Sequence, residues 1–279
     1  MSENPNPGPA VIAHDLSLRY RSGNPETRGV VVNGANFEIG VGEVLAVVGE
    51  TGSGKSTLAK AVALQADLSP EISPRISGGS LNVLGTNVRG ITTRQRDELS
   101  ISVGYLPQEA GDFLEPRLTI GENIAEPIFS RDAEFDQHEA GEYVAMLLDA
   151  VRLPMGTMNR YPHELSKGQR QRVAIARSMI LEPTVFIADD PTAGIDVTVR
   201  GAILDIISSL QKERAFSALI ITADLAEVRR ISNRVAVMHR GIIVGIGDVD
   251  EVLADPRHPY VSGLARSLDH LREPERVDA

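Results

Sequence analysis

The chain has 279 residues, with 38 acidic against 28 basic side chains and a formal net charge of -10. Because a protein that neutralises the phosphates of a nucleic acid needs a basic surface, nucleic acid is not an expected partner. The chain contains no cysteine, which excludes disulfides, thiolate metal sites, iron–sulfur clusters and a cysteine nucleophile.

The first fifty residues alternate between loop and strand patterns. Residues 1–10, rich in Pro and Asn, predict a flexible tail and have neither the basic nor the apolar region of a signal peptide. Apolar and polar residues alternate over 11–20, as in a half-buried strand, and residues 21–29 have the composition of a loop. The continuous apolar run at 44–48 is typical of a strand buried on both faces.

Later segments predict a parallel sheet with helices on its faces. Buried-strand patterns recur at 185–188 and 218–221, and helical periodicity lies between them at 197–213. Strand, helix and strand at this spacing indicate an α/β fold. No buried-strand pattern occurs over residues 109–181, and helical periodicity lies at 139–153 and 168–181, so we expect this stretch to form a helical insertion.

The clearest motif directly follows the strand predicted at 44–48. Residues 49–57 read GETGSGKST, which matches G-x-x-x-x-G-K-[ST], and a helix-like stretch comes next. Glycines let the backbone turn its N–H groups towards a phosphate, and a helix N-terminus adds positive potential. We expect Lys55 to reach the β- and γ-phosphates of a nucleotide and the Ser56 hydroxyl to ligate Mg²⁺. The nucleotide-binding residues predicted in this loop are Gly49, Glu50, Thr51, Gly52, Ser53, Gly54, Lys55, Ser56 and Thr57.

Mg²⁺ at such a loop also needs a carboxylate at the end of a neighbouring buried strand. The apolar run at 185–188 is followed by Asp189, which is therefore the expected metal ligand. An aspartate at the end of a strand is usually a turn-forming residue. The metal-binding role of Asp189 is favoured only because the chain also contains the phosphate loop.

A second motif carries a family resemblance. Residues 165–169 read LSKGQ, and with the continuation RQRVAIARSMILEP they resemble the signature of ATP-binding cassette (ABC) proteins, LSGGQ. The alternative for this stretch is an ordinary amphipathic helix without a binding role. The resemblance covers nearly the whole chain and implies a P-loop NTPase core, an N-terminal antiparallel β subdomain and an inserted α-helical subdomain. It also implies that ATP lies between the phosphate loop of one subunit and the signature of another, where Ser166, Gly168 and Gln169 meet the nucleotide.

The resemblance sets the expected domain boundaries. They are 1–10 for the tail, 11–108 and 182–255 for the ATP-binding core, 109–181 for the helical signature subdomain and 256–279 for a C-terminal extension.

Other positions match the family residue by residue. Gln108, in YLPQ, resembles the glutamine of the family's Q-loop, which implies contact with Mg²⁺ or its water. Tyr20 corresponds to the aromatic residue that stacks on adenine in the family. Phe37 is the only other aromatic residue before the phosphate loop, and the alternation around it directs the Phe37 ring into the core. A plain strand aromatic is the alternative for Tyr20. Asp196 lies in the family's D-loop and is expected to cross to the partner subunit.

Two stretches, LEPRLTIGENIAEPI at 114–128 and DPRHPYVSGLARSL at 255–268, resemble ABC importers of peptides and nickel. No apolar run approaches the roughly 18 residues that cross a bilayer, so we expect a peripheral protein at the cytoplasmic face of the cell membrane. The expected partners are a second ATPase subunit, two membrane-spanning permease subunits and a substrate-binding protein. Gln108, Phe113 and Leu114 are the expected docking surface, unless the two apolar side chains complete the local core.

Three positions depart from the family pattern. Asp190 replaces the glutamate that polarises the attacking water, and its side chain is shorter by about 1.5 Å. Ala223 replaces the histidine that contacts the γ-phosphate, and Lys167 replaces the first glycine of the signature. Because a positioned general base contributes about 10² to 10⁴ in rate, we predict slow hydrolysis at this site, with Asp190 and Gln108 as its catalytic groups. The alternative is that Asp190 serves adequately.

The same sequence leaves three functions open. In the first, ATP and Mg²⁺ bind here, and the signature completes the site of a non-identical partner that performs most of the hydrolysis. In the second, the chain is an ABC-type ATPase of a soluble complex, resembling the accessory ATPases of carbon–phosphorus lyase. In the third, it is a regulatory subunit that binds ATP without cycling.

Overall fold

The computed structural model describes residues 8–20, 29–69 and 73–272. Most of the predicted tail, most of the loop predicted at 21–29 and the end of the predicted C-terminal extension lie outside the described residues. The chain divides into two compact units. The phosphate-loop unit contains Pro9–Gly40, Val44–Arg89 and the chain from Ile221 onward, and the signature unit contains Val41–Glu43 and Gly90–Ile220.

The described residues form an α/β fold. The strands are, in chain order, β1 (Val11–Arg19), β2 (Val30–Ile39), β3 (Val44–Gly49), β4 (Arg75–Val83), β5 (Thr86–Asn87), β6 (Val103–Leu106), β7 (Val185–Asp189), β8 (Ser217–Ile221), β9 (Arg234–His239) and β10 (Ile242–Asp248). The α-helices are α1 (Lys55–Val62), α2 (Thr93–Leu99), α3 (Ile120–Phe129), α4 (Gln137–Ala150), α5 (Lys167–Met179), α6 (Val197–Arg214), α7 (Leu225–Ile231), α8 (Val249–Ala254) and α9 (Pro259–Arg272). In the described part of the chain, none of these helices combines the length and the apolar character that a membrane span requires.

The phosphate-loop unit contains an antiparallel sheet in the order β2-β1-β4-β5. Side chains alternate between buried and exposed along β1, which confirms the predicted half-buried strand, and Phe37 on β2 is buried as expected. In the same unit β10, β9 and β3 are neighbours in that order, and β3 runs parallel to β9. In β3 Val44 is half-buried and residues 45–49 are buried, so the phosphate loop that leads to α1 follows a buried strand.

The signature unit holds β8, β7 and β6 as neighbours in that order, with β6 parallel to β7. The strands predicted at 185–188 and 218–221 and the helix between them are confirmed as β7, β8 and α6. Residues 109–181, all of them described, contain helices and no strand, which confirms their predicted helical content.

Helix α3 was not identified from the sequence, because Pro127 in its last turn interrupts the periodic pattern. Its local signal is a capping box. The Thr119 hydroxyl accepts a hydrogen bond from the N–H of Glu122, and the Glu122 carboxylate accepts one from the N–H of Thr119 at 2.7 Å. The hydrogen bond from the Thr119 N–H, and a second one from the Thr119 hydroxyl, lower the pKa of the Glu122 carboxylate.

Strand β7, which ends in Asp189, depends on one aromatic contact. The ring of Phe186 is 0% exposed and packs edge-on against Phe216, with ring centroids 5.6 Å apart. Phe186→Ala should lower the free energy of unfolding by about 3–5 kcal/mol, because it removes a ring and leaves a cavity. Urea unfolding of the purified chain, followed by circular dichroism, measures this loss.

The matched control is Phe113→Ala in the same unit, because Phe113 is 76% exposed. Its change should stay within about 0.5 kcal/mol. Similar losses in the two variants would contradict the assignment of Phe186 to the core.

Candidate functional site

Residues 49–57 connect β3 to α1, and the backbone of this phosphate loop requires glycine at two places. Gly49 has φ 155°, and a Cβ there would overlap the carbonyl oxygen of Met238. Gly54 has φ 102°, and a Cβ there would lie 2.7 Å from the carbonyl oxygen of Val31. The loop therefore takes a path that a side chain at either position would block.

The loop encloses the ammonium group of Lys55, and Lys55 is only 9% exposed. Nζ of Lys55 donates hydrogen bonds to the carbonyl oxygens of Gly49 at 2.7 Å and Glu50 at 2.8 Å. Helix α1 begins here with Gly54 as its N-cap, so no side chain caps the first turn. A buried cation beside an uncapped helix N-terminus fits the phosphates of a nucleotide.

The structure brings Tyr20 to this loop. The Tyr20 hydroxyl lies 3.4 Å from Oγ1 of Thr57, in the first turn of α1. Thr57 is buried and anchors the Tyr20 hydroxyl, while the Tyr20 side chain is partly exposed to solvent. The stacking of Tyr20 on adenine stays a prediction.

The C-terminal stretch that resembles peptide and nickel importers also reaches the phosphate loop. The ring of His239 stacks on Tyr260, with centroids 4.5 Å apart, and its Nδ1 lies 3.7 Å from the Glu50 carboxylate. Burial, with the Glu50 charge nearby, raises the pKa of Tyr260. Sequence analysis missed His239, because no motif singles it out.

In the signature unit, Gln108 and Asp189 follow neighbouring parallel strands. Leu106 on β6 is in register with Ala188 on β7, so both residues lie at the same edge of the sheet. Asp189 is 2% exposed, whereas Gln108 is exposed. This edge fits the carboxylate and amide oxygens that Mg²⁺ prefers.

Asp190 follows with a left-handed backbone, at φ 50°. Aspartate and asparagine tolerate this conformation better than most residues do. The Asp190 carbonyl accepts a hydrogen bond from the N–H of Ala193 at 3.0 Å, which starts the tight turn leading to Asp196. Asp196 caps α6 by accepting a hydrogen bond from the N–H of Thr198. A hydrogen bond from the Thr198 hydroxyl, together with the one from its N–H, lowers the pKa of the Asp196 carboxyl group. That Asp196 crosses to a partner remains a prediction. Ala223 is exposed between β8 and α7.

The signature residues hold the start of α5. The Ser166 hydroxyl accepts a hydrogen bond from the N–H of Gln169 at 3.3 Å, and Oε1 of Gln169 accepts one from the N–H of Ser166 at 3.0 Å. A Cβ on Gly168 would lie 3.3 Å from Cγ1 of Val199. The two polar residues therefore fix the start of the helix, whose dipole places positive potential at this end.

Gln171 is a site residue that the sequence analysis missed. It is 1% exposed, accepts a hydrogen bond from the N–H of Gly111 at 3.1 Å and donates one to the carbonyl of Pro191 at 2.8 Å. It thus connects the segment after Gln108 to the residue after Asp190. Its spacing from Ala174 and Ile175 places an amide on the apolar face of α5, which is a signal that could have found it.

The expected docking surface is only partly correct. Phe113 is exposed, but Leu114 is 6% exposed and completes the local core, so the prediction that both face a partner was wrong. The two residues follow each other where a short 3₁₀ helix ends, and the turn sends them in opposite directions. Together with Tyr105, Pro107 and Pro127 they line a groove of about 230 Å³.

Comparisons with known proteins agree with this geometry. The family described as ABC transporter matches residues 32–193. The di/tripeptide transport ATP-binding protein DppF of Pseudomonas aeruginosa is 36% identical over 91% of this chain and 77% of its own length. The oligopeptide transport ATP-binding protein OppF of Haemophilus influenzae is 37% identical over 92% of this chain and 74% of its own length.

The fold is also shared with solved structures. The structure of cbiO1 from Clostridium perfringens, part of the ABC transporter complex cbiONQ, superposes with a TM-score of 0.75. It is 25% identical and covers 96% of this chain and all of that one. With an α/β fold, a phosphate loop and a signature helix of the expected kinds, the chain belongs to the ABC transporter family.

Proposed function

We propose that this chain is the ATP-binding subunit of an ABC importer of peptides. The observation that carries the proposal is the phosphate loop at 49–57, whose backbone encloses the Lys55 ammonium at the start of α1. The two curated relatives described above are both named for peptide transport, which favours peptides over a nickel-type cargo.

ATP is the proposed ligand of the loop, with Mg²⁺. Lys55 exchanges its carbonyl partners for the β- and γ-phosphates, and Tyr20 supports the adenine. The family resemblance assigns the metal to Ser56, Gln108 and Asp189. When bound, Mg²⁺ neutralises charge on the phosphate oxygens.

Lys55→Ala should weaken ATP binding by about 10- to 150-fold, because a hydrogen bond to a charged group contributes about 1.5–3 kcal/mol. Isothermal titration of the purified chain with Mg·ATP measures the change. Lys60→Ala is the matched control, since it removes the same charge from the last turn of the same helix. Equal weakening in both variants would contradict the assigned role of Lys55, provided that both unfold at the wild-type temperature.

The chain's own site is proposed to hydrolyse ATP slowly. Binding depends on the loop at 49–57, whereas water activation falls to Asp190, whose carboxylate is shorter than the family's glutamate, and Ala223 offers no donor. A non-identical partner ATPase then does most of the hydrolysis. Ser166, Gly168 and Gln169 of this chain complete that partner's site.

Asp190→Asn should lower the ATPase rate of the assembled complex by less than about twofold, whereas loss of the partner's catalytic glutamate should lower it about 10² to 10⁴-fold. Asparagine keeps the shape of aspartate and tolerates the same left-handed backbone, so the substitution tests only the carboxylate. Steady-state phosphate release by the complex is the measurement.

Equal losses from the two substitutions would show that both sites hydrolyse ATP. The complementary variant combines Asp190→Glu with Ala223→His and should raise turnover at this chain's site. Glutamate at φ 50° carries more strain than aspartate, so the gain is expected to be partial.

Attachment to the membrane is proposed to occur through two permease subunits, at the cytoplasmic face, with a substrate-binding protein on the other side. The support is the groove of about 230 Å³ beside Phe113, an aromatic side chain that is 76% exposed. A single exposed aromatic beside an apolar groove is the kind of anchor that interfaces use.

Affinity purification from detergent-solubilised membranes should recover the chain with two membrane-spanning subunits. Phe113→Asp should reduce their recovery by about tenfold or more, because it places a charge in a desolvated contact. Met155→Asp is the control, as Met155 is an exposed apolar residue elsewhere in the same unit. Recovery with a soluble multi-enzyme core would favour the lyase-like alternative, and stable ATP binding without turnover in the complex would favour the regulatory one.

A further inference from the structure

Lys167, the residue that departs from the signature pattern, lies at the first position of α5, directly after its N-cap Ser166. A cation at this end of a helix is unfavourable, because the helix dipole places positive potential there. Two carboxylates offset it. Nζ of Lys167 lies 2.9 Å from Oε1 of Glu109 and 3.7 Å from Oδ2 of Asp112.

The Lys167–Glu109 pair connects the signature to the segment after Gln108. Glu109 is the next residue in the chain after Gln108 and has a left-handed backbone, at φ 53°. Its hydrogen bond is the main cause of the raised pKa of Lys167. Arg170, one turn further along α5, adds a second ion pair to Asp112 at 3.0 Å.

A third segment meets the same pair. Gly194 lies in the turn between Asp190 and Asp196 and has φ 66°. A Cβ added to Gly194 would lie 2.6 Å from Oε1 of Glu109 and closer still to Nζ of Lys167. The ion pair therefore lies directly against Gly194, and a side chain at this position would displace the flexible ends of Lys167 and Glu109.

We propose that Lys167 is a positioning residue: its ion pair with Glu109, seated on Gly194, fixes the start of the signature helix relative to the segments at 108–112 and 193–196. The proposal rests on the function proposed above, since these three segments serve ATP turnover there. The lysine acts through Glu109 and does not contact the nucleotide. Gln171, which joins Gly111 to Pro191 beneath the pair, supports the same three segments.

The first test needs no nucleotide and uses amide hydrogen exchange of the purified full chain. Lys167→Met keeps an unbranched, flexible side chain that is one atom shorter, and it removes the charge. Amides at 109–112 and 193–196, among them those of Asp112 and Ile195 that close local turns, should exchange about threefold faster or more.

Lys212→Met is the control, because Lys212 is an exposed lysine near the end of α6 in the same unit. It should leave exchange at both segments unchanged. Unchanged exchange in Lys167→Met would overturn the proposal. The exchange measurement involves no ATP, so it tests the role of Lys167 independently of the proposed function. A wild-type complex without ATPase activity would overturn only the proposed function.

The second test measures ATP hydrolysis by the assembled complex. Lys167→Met and Glu109→Gln should each lower kcat by about threefold, with the KM for ATP unchanged, and the double variant should be no slower than either single variant. The reversed pair, Lys167→Glu with Glu109→Lys, should recover part of the lost kcat, since it restores the attraction between the two positions while the Asp112 carboxylate opposes the introduced acid.

Two outcomes of the second test would overturn the proposal. One is a raised KM for ATP in Lys167→Met alone together with failure of the reversed pair, which would indicate that the lysine contacts the nucleotide. The other is additive losses in the double variant, which would show that the two side chains act independently.

Discussion

The carbonyl oxygens of Gly49 and Glu50 hold the ammonium group of Lys55 at the start of α1, and the proposed nucleotide site depends on this contact. The two carbonyl oxygens supply hydrogen-bond partners for the buried cation. The close backbone approaches at Gly49 and Gly54 keep the path of the loop, because a Cβ at either residue would collide with a neighbouring carbonyl. The conformation of the loop is thus fixed by contacts within the phosphate-loop unit.

Polar contacts organise the signature unit in a similar way. The first two turns of α5 carry a capping box, three ion pairs and the buried amide of Gln171. Each of these groups has a partner in another segment or at the helix end, which is the condition under which polar groups can lie at a packed junction. Lys167 illustrates the balance, since a cation at a helix N-terminus is tolerated where Glu109 and Asp112 face it.

The proposed function assigns binding and water activation to different residues, and that separation makes an asymmetric ATPase pair physically reasonable. The residues of the phosphate loop are all present, while Asp190 and Ala223 alter the groups that the family resemblance assigns to the attacking water and the γ-phosphate. A loss of general-base geometry lowers the rate of the chemical step without removing ground-state contacts to the nucleotide. A signature that supports a partner's site needs only its helix start intact, and Ser166 and Gln169 hold that start in place.

The sequence by itself determined the buried strands β3 and β7, the helix α6 and the phosphate loop, because periodicity, glycine spacing and strand-to-helix order are local properties. The end of a buried strand pointed to Asp189 as a metal ligand, whereas Gln108 was assigned to the same site only through the family resemblance. Only the tertiary structure decided that Leu114 is buried while Phe113 is exposed, that Gln171 joins two loops, and that Lys167 pairs with Glu109. Lys167 and Glu109, for example, are 58 positions apart in the sequence. No local pattern encodes which distant side chain the fold will bring into contact.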